Sequence, residues 1–454
     1  MLYAFLKFVF KTAMRVFFRQ FKVENRERIP NKGPLIVVSN HPATFMDPLV
    51  AASQLKQQVH FIAKGTLFKS AFNSWVLRNI MNAIPVYRRQ DNPNPEHTNQ
   101  NDAIFEQCFK FLKEKGTLII FPEGTSINER RLQKIKTGTA RIALGAEAQS
   151  NFELGVEILT MGINYSDAPT FRSDVWVNVD EPIRVADFKE AYEKDEFEAV
   201  RALTEVIRQR LEQNLIITDD EEEDEFVKNI EAIYKNQLVA DLDLDPKEHA
   251  FTLTKGIVDA VNHFEAMDSE RVDRLQKSVA NYMAKLEELD LEDCFLARDK
   301  KRNRNIFKDS LWRLITLVVG LPAFLYGVVN NYIPYILPSK IANLLTKDEE
   351  YIGPIKLTSG IFTFSIFYVL QTYLFHHYLA PNEWWTLAYA VSLPLTGFLA
   401  MAYYDHSDKV WTHWKLLALF YQKPAEIGAL LQQRGKVIED FEQAKEEYLA
   451  AHAV

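Results

Sequence analysis

The chain is 454 residues long, with 47% hydrophobic and 25% charged residues and a formal charge of −8 at pH 7. That length exceeds one ordinary hydrophobic core, so two or more structural units are expected, and the acidic balance argues against a whole-chain nucleic-acid surface. The only cysteines, Cys108 and Cys294, lie in different regions, which disfavours a disulfide framework and points to a reducing setting; no Cys/His cluster has zinc-site spacing.

Residues 1–21 carry Lys7, Lys11, Arg15 and Arg19 and no acidic residue. Spacing by four puts these cations on one slowly drifting helical stripe, with Phe, Leu and Val over the remaining circumference. The pattern predicts a helix lying in a membrane interface, its cations toward lipid headgroups. Neither the uninterrupted apolar stretch nor the small-residue cleavage site of a secretory signal is present.

From residue 22 to about 190, short apolar runs alternate with helix-length segments. Residues 34–39, 116–121 and 156–163 read as buried strands, and 174–179 alternates cleanly. Residues 43–56, 66–81, 96–115 and 136–148 suit helices. This alternation predicts an α/β unit whose sheet is covered on both faces.

Residues 190–305 read as helical and charged, interrupted by the acidic run Asp219–Glu225, which reads as a solvated loop. A basic patch follows (Lys300, Lys301, Arg302, Arg304, Lys308, Arg313). Then come three segments without charge: 314–339 and 357–382, of 26 residues each, and 384–404, of 21 residues. Each is long enough to cross a hydrocarbon layer about 30 Å thick. Pro322, Asn330, Asn331 and Pro334 predict a break or re-entrant turn in the first. The cations ahead of residue 314 predict a cytoplasmic side for the preceding α/β unit. Residues 424–454 read as a polar amphipathic helix.

The sharpest local signal is Ser39-Asn-His-Pro-Ala-Thr-Phe-Met-Asp-Pro48, directly after a predicted buried strand. Strand exits are where α/β folds place their sites. A neutral His41 imidazole can accept a hydroxyl proton, and a carboxylate on its other nitrogen, here Asp47, fixes the tautomer. Six residues apart on one continuous helix the two would point about 240° apart, so they meet only if the chain turns between them. Taken alone the pair is a weak signal, because a His beside Pro at a strand end is usually a turn residue. Phe121-Pro-Glu-Gly-Thr-Ser126 is a second strand exit, where Glu123 and the Gly124 backbone can face a ligand. Ala83-Ile-Pro-Val-Tyr-Arg-Arg89 presents guanidinium groups suited to a phosphate.

Together these segments resemble the blocks of the glycerolipid acyltransferase family, which includes lysophosphatidate and glycerol-3-phosphate acyltransferases. Asn40-His41 through Asp47 resembles its catalytic block. Lys64 with Ile84-Pro-Val-Tyr-Arg88 resembles the second, Phe121-Pro-Glu-Gly-Thr125 the third and Gly162-Ile-Asn-Tyr165 the fourth, with Lys136-Thr-Gly138 following the third block at the usual place. The resemblance covers residues 25–190. Five residues rather than four separate His41 from Asp47, and Thr160 stands where proline is common. The five-residue gap and the long hydrophobic C-terminal half resemble fungal-type glycerol-3-phosphate acyltransferases.

The resemblance implies an α/β acyltransferase domain with a helix-covered mixed sheet, followed by an α-helical membrane-associated region. The expected segments are an interfacial helix (1–21), the acyltransferase domain (22–215), a charged helical region (216–308), a hydrophobic membrane region (309–405) and a helical tail (406–454). It implies transfer of a fatty acyl group from acyl-CoA or acyl carrier protein to glycerol-3-phosphate or 1-acylglycerol-3-phosphate, with His41 as general base oriented by Asp47. Lys64, Arg88, Glu123, Gly124 and Lys136 would bind substrate. No cofactor or metal is expected beyond the acyl donor, and the partners are membrane lipids rather than nucleic acid. Two alternatives are another lipid acceptor, such as an aminoacyl lipid, and a non-catalytic membrane scaffold.

Overall fold

The computed structural model describes residues 2–68, 70–79, 81–86, 96–243, 245, 249–296 and 306–452. The chain divides into two compact units, Met1–Ile217 with Pro338–Ile361, and Thr218–Leu337 with Phe362–Val454.

The first unit is built on eight strands: β1 Gln20–Glu24, β2 Leu35–Ser39, β3 Val59–Lys64, β4 Ala83–Val86, β5 Thr117–Ile120, β6 Glu157–Tyr165, β7 Asp174–Val179 and β8 Ile183–Arg184. They form one mixed sheet in the order β1-β7-β6-β2-β5-β3-β4, with β8 beside β6. β6, β2, β5, β3 and β4 run parallel, while β7 and β8 lie antiparallel to β6. Successive side chains in a strand point to opposite faces, and β2 shows both. Ile36 and Val38 join a core under α4 (Glu96–Lys113), α5 (Gly138–Ala148) and α7 (Glu196–Gln213). Leu35 and Val37 join another with α1 (Leu2–Phe17) and α2 (Met46–Gln54). Helices α3 (Ala71–Asn79) and α6 (Lys189–Lys194) complete the covering set of this part of the unit. The sheet is thus packed on both faces, as the near-continuous apolar runs require.

In α1, Met14 and Phe17 are buried in the unit and Phe5 and Phe8 are exposed. Lys7 does not face outward with the expected cation stripe; its ammonium donates to the Leu55 carbonyl at the end of α2. No following helical turn supplies an N–H to that carbonyl, so the lysine satisfies it.

The second unit is helical: α8 Glu221–Asp241, α9 Ala250–Met267, α10 Ser269–Glu288, α11 Asp293–Leu296, α12 Ile306–Leu345, α13 Glu349–Leu374, α14 Glu383–Gln422 and α15 Pro424–His452. The last turns of α12 and the first turns of α13 belong to the first unit. The acidic run is no loop. Asp220 caps α8 by accepting from the Glu223 N–H at 2.8 Å, and Glu221–Asp224 form its first turn, where the helix dipole favours negative charge. A buried fork joins α15 to α11, with the Arg434 guanidinium donating to both Asp293 oxygens at 2.8 and 2.9 Å.

Three helices, Ile315–Leu345, Glu349–Leu379 and Glu383–Gln422, are long and apolar enough to cross a membrane. Val318, Val319, Val329, Phe362, Ile366 and Val369 are exposed on them, a surface that water does not favour but lipid does. The expected break in the first segment does not occur. Proline removes an N–H and orphans the carbonyl four residues earlier, yet neighbouring side chains fill the gaps. Gln371 donates to the Asn330 carbonyl left by Pro334, at 2.9 Å. Thr363 donates to the Pro334 carbonyl left by Pro338, at 3.1 Å. Polar side chains of the neighbouring helix α13 therefore satisfy the carbonyls that Pro334 and Pro338 leave open. Lys300, Lys301, Arg302 and Arg304 lie outside the described residues, as do the side chains of Lys308 and Arg313.

Candidate active site

β2 and β5 are parallel neighbours with Val38 level with Ile120. Residues three places beyond Val38 and Ile120 therefore emerge side by side, and these are His41 and Glu123. The Glu123 carboxylate accepts from the His41 backbone N–H at 2.8 Å and from the Gln133 N–H at 3.0 Å. With both oxygens engaged and only 5% of its surface exposed, Glu123 clamps the two loops together. The turn that aims it inward closes through the Gly124 N–H to the Phe121 carbonyl at 3.1 Å. Gly124 adopts φ +69°, and a Cβ there would lie 2.8 Å from the Lys136 ammonium; only glycine suits both conditions.

Burial pushes the Glu123 carboxyl up to about 7, against the pull of the Gln133 and His41 N–H groups. Between the ordinary value of 4.5 and about 7, the folded state keeps a proton that the unfolded chain has lost. The stability this group contributes is therefore full below pH 4.5 and disappears as pH rises to about 7. Glu123→Gln does not titrate, so across that window the wild type should lose up to about 3 kcal/mol relative to the variant. Thermal melting of both full-length proteins at each end of the window measures this, and a pH-independent gap between them would refute it.

His41 and Asp47 do meet. The chain reverses between them, with Thr44 at φ +37° and the Met46 N–H closing on the Ala43 carbonyl at 2.8 Å. Asp47 in the first turn of α2 is fully buried. One of its oxygens accepts from His41 Nδ1 and the Ala43 N–H, each at 2.8 Å, and the other accepts from the Tyr165 hydroxyl at 2.8 Å. A carboxylate only accepts, so Nδ1 carries the hydrogen, and in the neutral ring Nε2 then presents a lone pair. The imidazole stacks on Phe121 with ring centroids 4.2 Å apart and interplanar angle 19°, and its side chain is 20% exposed. This arrangement can accept a proton from a hydroxyl brought to Nε2.

Tyr165 is the residue that sequence reasoning left without a role. β6 pairs with β2 with Met161 level with Ser39, then runs on to place Tyr165 beside the loop. Strand alternation gives a usable signal, because Leu159, Met161, Ile163 and Tyr165 share the face on which α2 and Asp47 pack. Burial, together with the charge and hydrogen bond of Asp47, holds the Tyr165 hydroxyl well above its ordinary pKa, keeping it a neutral donor. The rest of this block is structural. A Cβ on Gly162 would lie 2.3 Å from the Asn214 carbonyl oxygen, and Asn164 donates to that carbonyl at 3.0 Å. The Asn40 side chain bridges the N–H and carbonyl of Ile163, both at 2.8 Å. Thr160, where proline is common in the resembled family, is buried and its hydroxyl donates to Asp180 at 3.3 Å.

Lys136 reaches this loop cluster, its N–H bonding the Pro122 carbonyl at 3.0 Å and its ammonium lying over Gly124. Lys64 ends β3 on the same sheet edge. Phe61 is level with Ile119, which sets Lys64 level with Pro122. Arg88 lies outside the described residues.

A family model described as Acyltransferase matches residues 20–164, the stretch from β1 to β6 that holds His41, Asp47 and Glu123. That match makes residues 20–164 similar to the acyltransferase family. The chain is similar to glycerol-3-phosphate O-acyltransferase 1 of Saccharomyces cerevisiae, 22% identical over 296 residues, covering 62% of this chain and 38% of that protein. It is also similar to glycerol-3-phosphate O-acyltransferase 2 of the same yeast, 28% identical over 225 residues (49% and 29%). A third relative is 1-acyl-sn-glycerol-3-phosphate acyltransferase of Bacillus subtilis, 27% identical over 192 residues (42% and 86%). The chain spans about a third of the length of the two yeast relatives. These matches agree with the glycerolipid acyltransferase resemblance read from the four blocks.

Proposed function

We propose that this chain transfers a fatty acyl group from acyl-CoA or acyl carrier protein to the hydroxyl of glycerol-3-phosphate, at a membrane surface with its acyltransferase domain on the cytoplasmic side. The observation that carries the reading is the His41 ring locked by Asp47 with Nε2 free to take a proton. The acceptor O–H proton passes to Nε2 as the oxygen attacks the thioester carbonyl carbon. A tetrahedral oxyanion forms, the C–S bond breaks, and the departing sulfur takes the proton back from His41. No serine or cysteine nucleophile enters, so no acyl-enzyme forms. Lys136, Lys64 and Arg88 are the cations assigned to the acceptor phosphate.

Similarity to the yeast glycerol-3-phosphate acyltransferases over 62% of this chain supports glycerol-3-phosphate as acceptor. The second reading is 1-acylglycerol-3-phosphate, favoured by the match spanning 86% of the bacterial enzyme. Detergent-solubilised protein assayed with each acceptor, and with acyl-CoA and acyl carrier protein thioesters as donors, separates them. Product from glycerol-3-phosphate is expected; product only from the monoacyl acceptor selects the second reading, and no transfer in any combination overturns both.

A further inference from the structure

Pro354 sits in the second turn of α13. Having no N–H, it leaves the Glu350 carbonyl without a helical partner. The Thr44 hydroxyl donates to that carbonyl at 3.0 Å. Thr44 is the residue at φ +37° where the loop from β2 to α2 reverses, a conformation a β-branched side chain keeps only when its surroundings hold it. Its N–H is held as well, by the Ser126 hydroxyl at 2.9 Å.

The preceding residue makes a second contact. A Cβ on Gly353 would lie 2.4 Å from the Ala168 carbonyl oxygen and 3.6 Å from the end of Met46. The Lys356 ammonium donates to the Pro169 carbonyl at 2.9 Å. Leu357, 3% exposed, belongs to the core with Ala43, Met46 and Ala168. The loop through Thr44 leads into Asp47, and the loop through Ala168 leaves Tyr165. One helix start therefore holds the two loops that flank the bond between Tyr165 and Asp47.

The geometry points to the Gly353-Pro354 turn of α13 as a positioning element for the His41–Asp47 pair. Its opened carbonyl and bare glycine fix Thr44 and Ala168 so that the Asp47 carboxylate stays on His41 Nδ1. The turn touches no reacting atom and acts only through that pair. Its kinetic consequence rests on the acyl-transfer reading above.

The test compares Thr44→Val, Thr44→Ser, Gly353→Ala and Gly360→Ala in the full chain in detergent. Two readouts are taken: steady-state kinetics, and the imidazole N–H resonance of 15N-histidine-labelled protein that His41→Ala lacks. Thr44→Val keeps the branched shape and loses the donor; Gly353→Ala forces the Ala168 loop to move. Each should lower kcat by about tenfold or more, leave the acceptor KM within about threefold, and shift or broaden the resonance. Thr44→Ser should restore both readouts. Gly360→Ala, whose Cβ would lie an ordinary 3.9 Å from Pro338, should match the wild type. Wild-type kcat and resonance in Thr44→Val and Gly353→Ala overturn the proposal, as does equal loss in Thr44→Ser and Thr44→Val. A wild type without turnover refutes the functional reading instead, and the resonance still decides the positioning role.

Discussion

His41→Ala should lower kcat by about 10²–10⁴-fold, the usual contribution of a positioned general base, while the protein stays folded. The imidazole is partly exposed and meets its surroundings through the Phe121 stack and the Asp47 hydrogen bond. Its backbone N–H to Glu123, which ties the two loops, survives the substitution. Asp47 keeps its bonds from Ala43 and Tyr165, so the loss of one donor should cost about 1–3 kcal/mol of stability. Kinetics and a thermal melt on the same purified sample measure both quantities. Wild-type turnover in the variant would remove His41 from the reaction.

Asp47→Asn should be as damaging to the rate and to the fold. The carboxylate is fully buried and three donors converge on its two oxygens. An amide offers one oxygen: with its NH₂ toward His41 it opposes the Ala43 N–H, and with its NH₂ toward Tyr165 it displaces the hydroxyl's donation. The first orientation also favours the tautomer with hydrogen on Nε2, which cannot accept the substrate proton. A rate loss of about 10³–10⁴-fold is expected by analogy with other histidine–carboxylate pairs, with about 1–3 kcal/mol of stability lost to the buried unsatisfied group. Tyr165→Phe removes a single donor and keeps the ring stacked near Phe18. It should reduce kcat by about tenfold, the weight of one charge-assisted bond, with acceptor KM unchanged. Full activity in Asp47→Asn, or a Tyr165→Phe loss as large as that of Asp47→Asn, would contradict this order of importance.

The central sheet was legible because its middle strands are buried on both sides and carry unbroken apolar runs, as in Leu35–Val38 and Thr117–Ile120. β3 was not, since His60 and Lys64 interrupt its run. β1, Gln-Phe-Lys-Val-Glu, sits at the sheet edge where polar residues are tolerated. The continuity of α12 was hidden because Gln371 and Thr363, which satisfy its orphaned carbonyls, sit on another helix. His41 and Asp47 were readable from residue type and strand exit. The brace on Thr44 was not, because its acceptor lies 306 residues away and no periodicity links the two positions.

Leu357 completes a core whose other members come from the first 179 residues. About 140 residues separate it from the end of the unit's first segment, and translation at about 5–20 residues per second delivers it roughly 7–28 s later. A nascent chain therefore waits with Met46 and Ala168 uncovered and Thr44 untied. The loop from β2 to α2 is fastened only after α12 and the start of α13 have been made.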